Sequence, residues 1–238
     1  PKPQNPNAVQ YNYYKFDMLK DIEPWIEELR TNFYKGTTKS ATWRREQLSA
    51  LAKGVREMKK DMEQALFEDL GRCHFWTEIA EIGGLLDFIS YHSDMLEEYM
   101  RDVDADPSLI WAPSSTKLHY EPLGVALIMG SWNFPYFVTL KPLAMAITTG
   151  NAAIVKPSEM GPCASKCIQV LVEKYLDKNF YRVIQGEAEV SIKLTQSKFD
   201  LICFTGSTDK GKLVARSAAA NLVPCILELG GKCPFVCD

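Results

Sequence analysis

The sequence predicts an α/β protein whose five-stranded parallel sheet carries helices on both faces. A helical segment and a protruding β-hairpin precede the sheet. Short apolar runs alternate with helical segments after Gly124, whereas the preceding residues show apolar stripes spaced by three and four. A stretch rich in Pro and Ser separates the two patterns. Buried strands that alternate with helical crossovers are typical of a parallel sheet covered on both sides.

Composition and charge limit the classes of partner. The 238 residues are 46% hydrophobic and carry a net charge of -3, so disordered and collagen-like classes are excluded. Without a cationic surplus, nucleic acid is not a predicted partner. No apolar run approaches the roughly 20 residues of a membrane span, so none is predicted. The seven Cys form no CxxC pair and the three His show no ligand spacing. We expect reduced cysteines, a cytoplasmic location and no metal site.

The first half of the chain divides into an arm and helices. Residues 1–16 are rich in Pro, Asn, Gln and Tyr and predict an extended N-terminal arm. Pro24 suits a first helical turn, and Gly36 suits a helix stop. Two core-facing helical stripes are expected after Gly36. The first comprises Leu48, Leu51, Val55, Met58, Met62 and Leu66, and the second comprises Ile79, Ile82, Leu85, Leu86, Ile89 and Leu96.

Residues 101–121 do not continue the helical pattern of the preceding segment. Pro107 and Pro113 interrupt any helix, and 117–120 can form a short strand. We expect a β-hairpin of the kind used for subunit contacts, and therefore a homo-oligomer or a partner that covers it. Residues 17–121 are thus predicted to form a helical lead-in with this hairpin. Residues 122–238 are predicted to form a second domain.

The second domain contains five predicted strands. They are Val125–Met129, Ala152–Val155, Tyr181–Ile184, Leu201–Phe204 and Cys225–Leu229, with helices predicted around 135–149, 160–177, 187–196 and 209–220. Ligands of parallel sheets bind outside the carboxyl ends of the strands. The loops that follow these strands are therefore the candidate functional segments.

Two of these loops suit a nucleotide. Lys156 and Glu159 can hydrogen-bond a sugar diol, although the same residues also suit a solvated turn. Gly206 begins a glycine-bearing turn between a strand and a helix, which directs free N–H groups at an anion. This turn fits GxGxxG, with Thr208 in place of the middle glycine and Gly211 as the last one. It also fits the P-loop pattern GxxxxGK without the final hydroxyl residue, and a purely structural turn remains open.

Two further loops carry groups suited to catalysis. Asn133 lies between aromatic residues and Pro135, where its amide can donate to an oxyanion or cap the next helix. Glu228 lies between two leucines, so we expect a poorly solvated carboxylate with the raised pKa of a general base. An ion-paired strand end is the alternative interpretation of Glu228.

The motifs together resemble the aldehyde dehydrogenase superfamily in their order and spacing, over roughly residues 20–238. The segment 120–142 is most similar to the class 3, fatty-aldehyde branch. The motifs that carry the resemblance are Glu121-Pro122-Leu123-Gly124-Val125, Trp132-Asn133-Phe134-Pro135, Gly150-Asn151-Ala152, Lys156-Pro157-Ser158-Glu159, Phe204-Thr205-Gly206-Ser207-Thr208 and Leu227-Glu228-Leu229-Gly230-Gly231-Lys232.

The resemblance implies a Rossmann-like domain that binds NAD, or possibly NADP. Asn133 would donate to the oxyanion of the adduct, and Glu228 would activate the water that releases the acid. The implied cofactor-binding residues are Lys156, Glu159, Gly186, Gly206, Ser207, Gly211, Leu229 and Gly230. A carboxylate at the ribose position favours NAD, because it repels a 2′-phosphate.

The resemblance also implies oxidation of an aldehyde to a carboxylic acid through a thiohemiacetal and a thioester. It places the nucleophilic cysteine in a catalytic domain beyond residue 238. None of the cysteines present is expected to replace it: Cys203 is predicted to be strand core, and Cys225 to face away from Glu228. Two alternatives stay open. The chain is part of a working enzyme, or it is a non-catalytic binding or assembly component.

Overall fold

The computed structural model describes residue 20 and residues 22–237, so the predicted arm at 1–16 lies outside the described residues. The predicted helical lead-in begins with α1 over residues 22–34, and Gly36 follows with a φ of 80°. A 3-10 turn spans Thr37–Lys39. The next helices are α2 (Ala41–Glu57), α3 (Lys59–Leu70) and α4 (His74–Thr77).

The first apolar stripe is confirmed, because all six of its residues are buried along α2 and α3. The second stripe is only partly correct. A π-helical turn over Glu78–Gly83 precedes α5 (Gly84–Asp94) and α6 (Leu96–Met100). A π turn rotates the following residues relative to a regular α-helix. Ile79 is therefore 53% exposed, whereas Ile82, Leu85 and Ile89 enter the core.

The predicted hairpin forms from β1 (Val103–Ala105) and β2 (Thr116–Leu118), which pair antiparallel. The second strand is shorter than predicted and begins one residue earlier. A 3-10 turn over Leu109–Trp111 lies between the strands, and Leu109 and Ile110 are 93% and 82% exposed. The hairpin thus presents apolar side chains to solvent.

The five predicted strands form one parallel sheet in the order β5-β4-β3-β6-β7. The strands are β3 (Val125–Met129), β4 (Ala152–Lys156), β5 (Tyr181–Val183), β6 (Leu201–Gly206) and β7 (Cys225–Leu229). The connecting helices are α7 (Pro135–Thr148), α8 (Pro162–Tyr175), α9 (Ala188–Gln196) and α10 (Thr208–Ala219). Every residue of β3 and β4 is buried.

Helices cover the two faces of the sheet unequally. The chain crosses from β3 to β5 through α7 and α8, and then reverses direction to β6 and β7 through α9 and α10. Right-handed crossovers therefore place these two helix pairs on opposite faces. The lead-in helices α2, α3 and α5 pack on α7 and α8. The lead-in and the sheet share one hydrophobic core. The boundary between 17–121 and 122–238 stays a prediction.

Gly124 allows the chain to enter the central strand next to Asp200. Its φ is 142°, and a Cβ atom there would lie 2.2 Å from Oδ2 of Asp200. That oxygen accepts the backbone N–H of Val125 at 2.8 Å and Nη1 of Arg30 at 2.6 Å. The carboxylate thus joins α1, β3 and the residue before β6.

We predict that Gly124→Ala lowers the free energy of unfolding by about 2 kcal/mol or more, because it adds backbone strain and displaces Asp200. Urea unfolding followed by circular dichroism measures the change. Gly36→Ala is the matched control. Gly36 also has a positive φ but nothing within 4 Å of its Cβ position, so its loss should be limited to about 1 kcal/mol. Equal losses for the two variants would contradict this explanation.

Candidate functional site

The register of the parallel strands brings the predicted loops to one edge of the sheet. Met129, the last residue of β3, lies opposite Lys156 on β4 and Phe204 on β6. On the other side of β6, Thr205 lies opposite Glu228 and Gly206 lies opposite Leu229. The loops after β3, β4, β6 and β7 therefore all begin at this edge.

Lys156 and Glu159 form an ion pair at the end of β4. The Nζ of Lys156 lies 2.5 Å from Oε2 of Glu159, and the lysine side chain is only 4% exposed while the glutamate is 39% exposed. Burial is the largest single influence and tends to raise the pKa of Glu159. The hydrogen bond from Lys156, a backbone hydrogen bond and the charges of Lys156 and Lys210 together hold that pKa below its ordinary value. The ion pair thus fixes two charged groups at the sheet edge, with the lysine buried and the glutamate partly open to solvent.

The turn between β6 and α10 is very short. Gly206 ends the strand, and α10 begins at Thr208 with the Ser207 hydroxyl accepting the N–H of Lys210 at 3.4 Å. The first N–H groups of a helix lack intrahelical acceptors and suit an anion. The P-loop interpretation fits this turn poorly, because Gly211 and Lys212 lie inside the helix and not in a loop that could wrap a phosphate.

Two of the predicted glycines allow close packing beside this edge. A Cβ atom on Gly211 would lie 2.5 Å from a methyl carbon of Leu229, so glycine lets α10 approach β7. Gly186 has a φ of 151°, and its Cβ would lie 2.4 Å from Val190. Gly211 lies in the first turn of α10, where its backbone N–H donates to the carbonyl oxygen of Ser207 at 2.9 Å. Gly230, by contrast, has no atom within 4 Å of its Cβ position.

Asn133 lies in the loop between β3 and α7, and its side chain is exposed. The Ser131 hydroxyl donates to its Oδ1 at 2.5 Å, which leaves the amide NH₂ free to donate elsewhere. The loop borders an open cavity of about 620 Å³. Its lining residues are Leu70, Gly71, Arg72, Cys73, Trp76, Ala80, Trp132, Asn133 and Phe134.

Glu228 borders a different cavity, an apolar groove of about 680 Å³ between α7 and the open face of β6 and β7. The groove also contains Cys203, Thr205 and Ile226. Among the residues that the structure describes, the two cavities share no lining residue. The structure thus brings Asn133 and Glu228 to the same sheet edge but into separate cavities.

Two expectations about this groove are wrong. Glu228 is exposed and not desolvated, because Leu227 and Leu229 point to the opposite face of β7. Cys203 is not enclosed strand core, since it faces the groove and is only half-buried. Burial and, to a smaller extent, the charge of Glu228 raise the pKa of the Cys203 thiol to about 11.

No described cysteine combines the surroundings that an activated nucleophile needs. Cys73 lies in the Asn133 cavity, Cys203 lies in the Glu228 groove, and neither borders both. Cys225 lies on the opposite face of β7 from Glu228, as predicted from the odd spacing. Within residues 20 and 22–237, no group of three or more His, Cys, Asp or Glu could hold a metal ion.

Sequence reasoning missed two residues behind the Asn133 loop. Arg72 contacts the backbone of Asn133, and Glu81 contacts both Arg72 and the first turn of α7. The available signal for Glu81 is a charged residue directly before Ile82, a member of the predicted core stripe. Lys141 was also missed: its ammonium lies 3.7 Å and 4.5 Å from the ring centroids of Phe137 and Phe88, at the groove.

Comparisons with known proteins agree on one family. The profile described as "Aldehyde dehydrogenase family" matches residues 14–238. The chain is 38% identical over 219 residues to aldehyde dehydrogenase family 3 member I1, chloroplastic, of Arabidopsis thaliana, covering 92% of this chain and 40% of that protein. It is 34% identical over 220 residues to the dimeric NADP-preferring aldehyde dehydrogenase of Canis lupus familiaris, covering 92% and 49%.

Solved structures give the same result. The substrate-bound state of Staphylococcus aureus AldH superimposes with a TM-score of 0.86 at 35% identity, covering 89% of this chain and 46% of that one. Betaine aldehyde dehydrogenase from Staphylococcus aureus in complex with NAD+ gives 0.79 at 25% identity, covering 89% and 42%. The chain thus spans less than half the length of these proteins. No helix in the described part of the chain is long and apolar enough to cross a membrane.

We predict that Glu228→Gln accelerates alkylation of Cys203, because removal of the neighbouring negative charge lowers the thiol pKa and raises the thiolate fraction. Iodoacetamide labelling between pH 8 and pH 10, read by peptide mass spectrometry, measures the rate. Cys225 is the internal control, because burial alone raises its pKa. Glu173→Gln on α8 is the matched variant. An unchanged Cys203 rate in Glu228→Gln would contradict the proximity of the two groups.

Proposed function

The chain belongs to the aldehyde dehydrogenase family, and we propose that it forms the NAD(P)-binding part of an enzyme that oxidises an aldehyde to a carboxylic acid. The observation that carries the proposal is the common sheet edge at which β3, β4, β6 and β7 end. The resemblance to class 3 agrees with the family 3 relative from Arabidopsis thaliana.

The residues at this edge fit a dinucleotide. The ammonium of Lys156 and the carboxylate of Glu159 can donate to and accept from the hydroxyls of a ribose. The short turn at Gly206 and Ser207 presents the first N–H groups of α10 to a pyrophosphate. Gly186 and Gly211 keep the adjoining loop and helix close, and the backbone at Leu229 and Gly230 would border the nicotinamide. When bound, the cofactor accepts the hydride of the aldehyde.

We propose NAD as the first choice of cofactor, because a Glu159 carboxylate that hydrogen-bonds the ribose would repel a 2′-phosphate. NADP remains the alternative, and one relative is named as NADP-preferring. Binding of the two dinucleotides compared on the same protein separates these choices. The exposed hairpin supports a homo-oligomer, and the chain's cysteine pattern supports the proposed cytoplasmic location.

Asn133 and Glu228 supply two separate tasks in the proposed reaction. The free NH₂ of Asn133 donates to the oxyanion that forms when a thiolate attacks the aldehyde carbon. The exposed Glu228 carboxylate accepts a proton from the water that later releases the acid. Because no described cysteine borders both groups, we propose that the thiol comes from residues outside 1–238.

We predict that Lys156→Met weakens NAD+ binding by about 10-fold or more, because a charge-assisted hydrogen bond to the ribose is lost. Isothermal calorimetry on the folded chain measures the affinity. Lys53→Met, whose ammonium is exposed on α2, is the control and should bind as the parent does. A folded parent that takes up no NAD+, or equal affinity in Lys156→Met, would contradict the assignment.

We predict that Glu228→Gln lowers kcat for aldehyde-dependent NADH formation by about 100-fold or more, as expected for loss of a general base. The assay uses the whole protein that contains this chain and the catalytic cysteine. NAD+ affinity should stay the same, which separates loss of chemistry from loss of binding. A parent protein that binds NAD+ but oxidises no aldehyde would favour the non-catalytic alternative.

A further inference from the structure

A buried ion pair lies directly behind the Asn133 loop. Glu81 is fully buried in the π-helical turn, and one of its oxygens pairs with Nη1 of Arg72. Its other oxygen accepts the backbone N–H groups of Tyr136 at 2.8 Å and Phe137 at 3.2 Å. Because Phe134 gives α7 no side-chain cap, the Glu81 carboxylate caps this helix from a distant part of the sequence.

Arg72 connects this carboxylate to the loop. Its Nη2 donates to the carbonyl oxygen of Asn133 at 2.5 Å, while its guanidinium carbon lies 4.6 Å from the centroid of the Phe134 ring. A guanidinium holds its donors in a rigid planar fork. Because Arg72 contacts both groups, a displacement of Glu81 would also displace the Asn133 carbonyl.

The two ends of Asn133 are thus fixed by different partners. Arg72 holds the backbone carbonyl, and the Ser131 hydroxyl holds Oδ1 of the side chain. These two contacts together set the direction in which the side-chain NH₂ of Asn133 points. Donors to a developing oxyanion must be placed before the reaction, since displacement by about 1 Å can cost about 100-fold in rate.

We propose that Arg72, held in place by Glu81, is a positioning residue that aims the amide of Asn133 at the oxyanion. This proposal rests on the function proposed above for Asn133. Arg72 itself touches the Asn133 carbonyl and the Phe134 ring, and acts on the reaction only through them. If Arg72 only neutralised the buried Glu81, its loss would lower the free energy of unfolding. Its effect on kcat would then not depend on Asn133.

The kinetic test is a double-mutant cycle in the whole protein that contains this chain. Arg72→Met should lower kcat about 10- to 100-fold and change the KM for NAD+ less than about 2-fold. In an Asn133→Ala background, the same substitution should change kcat less than about 2-fold. Arg72→Lys keeps the positive charge beside Glu81 but lacks the planar fork that reaches the Asn133 carbonyl, so it should recover stability without recovering most of the lost kcat.

Arg182→Met is the matched control. Arg182 is also mostly buried (16% exposed, against 18% for Arg72), pairs with Glu28 at 2.7 Å and lies 5.2 Å from the Trp25 ring centroid. Its loss should leave kcat unchanged. Equal effects of Arg72→Met in the parent and in the Asn133→Ala background would overturn the proposal, because Arg72 would then act independently of Asn133.

A second measurement does not depend on activity. Fluorine NMR of 5-fluorotryptophan at Trp132, assigned with Trp132→Phe, reports the conformation of the loop. We expect Glu81→Gln, which removes the charge that holds Arg72 but keeps the size of the side chain, to shift or broaden this resonance, and Arg182→Met to leave it unchanged. An unaltered Trp132 signal in folded Glu81→Gln would overturn the proposal, whether or not the parent oxidises aldehydes. A parent without aldehyde oxidation but with the shifted signal would reject only the proposed function.

Discussion

The parallel register of β3 with its two neighbours is the constraint on which the candidate site depends. All residues of β3 and β4 are buried, so a slip of one residue would exchange the side chains on the two covered faces. The register places Met129 between Lys156 and Phe204. Because the strands end together, the polar loops that follow them collect at one edge. No single contact in those loops could bring them together without the sheet.

Most of the sheet could be predicted because buried strands leave a strong apolar signal. β3 and β7 have the predicted bounds, whereas β4 and β6 extend further, to Lys156 and Gly206. Those additional residues are charged, polar or small, and hydrogen bonding to a neighbouring strand keeps them extended. Apolarity alone cannot reveal such positions. The π-helical turn was equally invisible, since its effect on Ile79 comes from a local change of helical period.

In the candidate site, too, some features could be predicted from the sequence and others could not. Lys156 and Glu159 were predictable as a pair because they are three residues apart on one turn. The two flanking leucines predict a poorly solvated Glu228, but neighbouring residues in a strand point to opposite faces, so the leucines leave its carboxylate exposed. Arg72 lies 61 residues before Asn133 and Glu81 lies 55 residues before Tyr136, and only tertiary packing reveals such contacts.

The proposed function requires a dinucleotide at the carboxyl edge of the sheet. Amide NMR of the folded chain, recorded during titration with NAD+, tests this most directly. We expect saturable shifts at Lys156 and Glu159, at Gly186, and at the Gly206–Ser207 turn, with the hairpin unchanged. Shifts confined to the hairpin or to the outer face of α2, or a spectrum that NAD+ leaves unchanged, would contradict it.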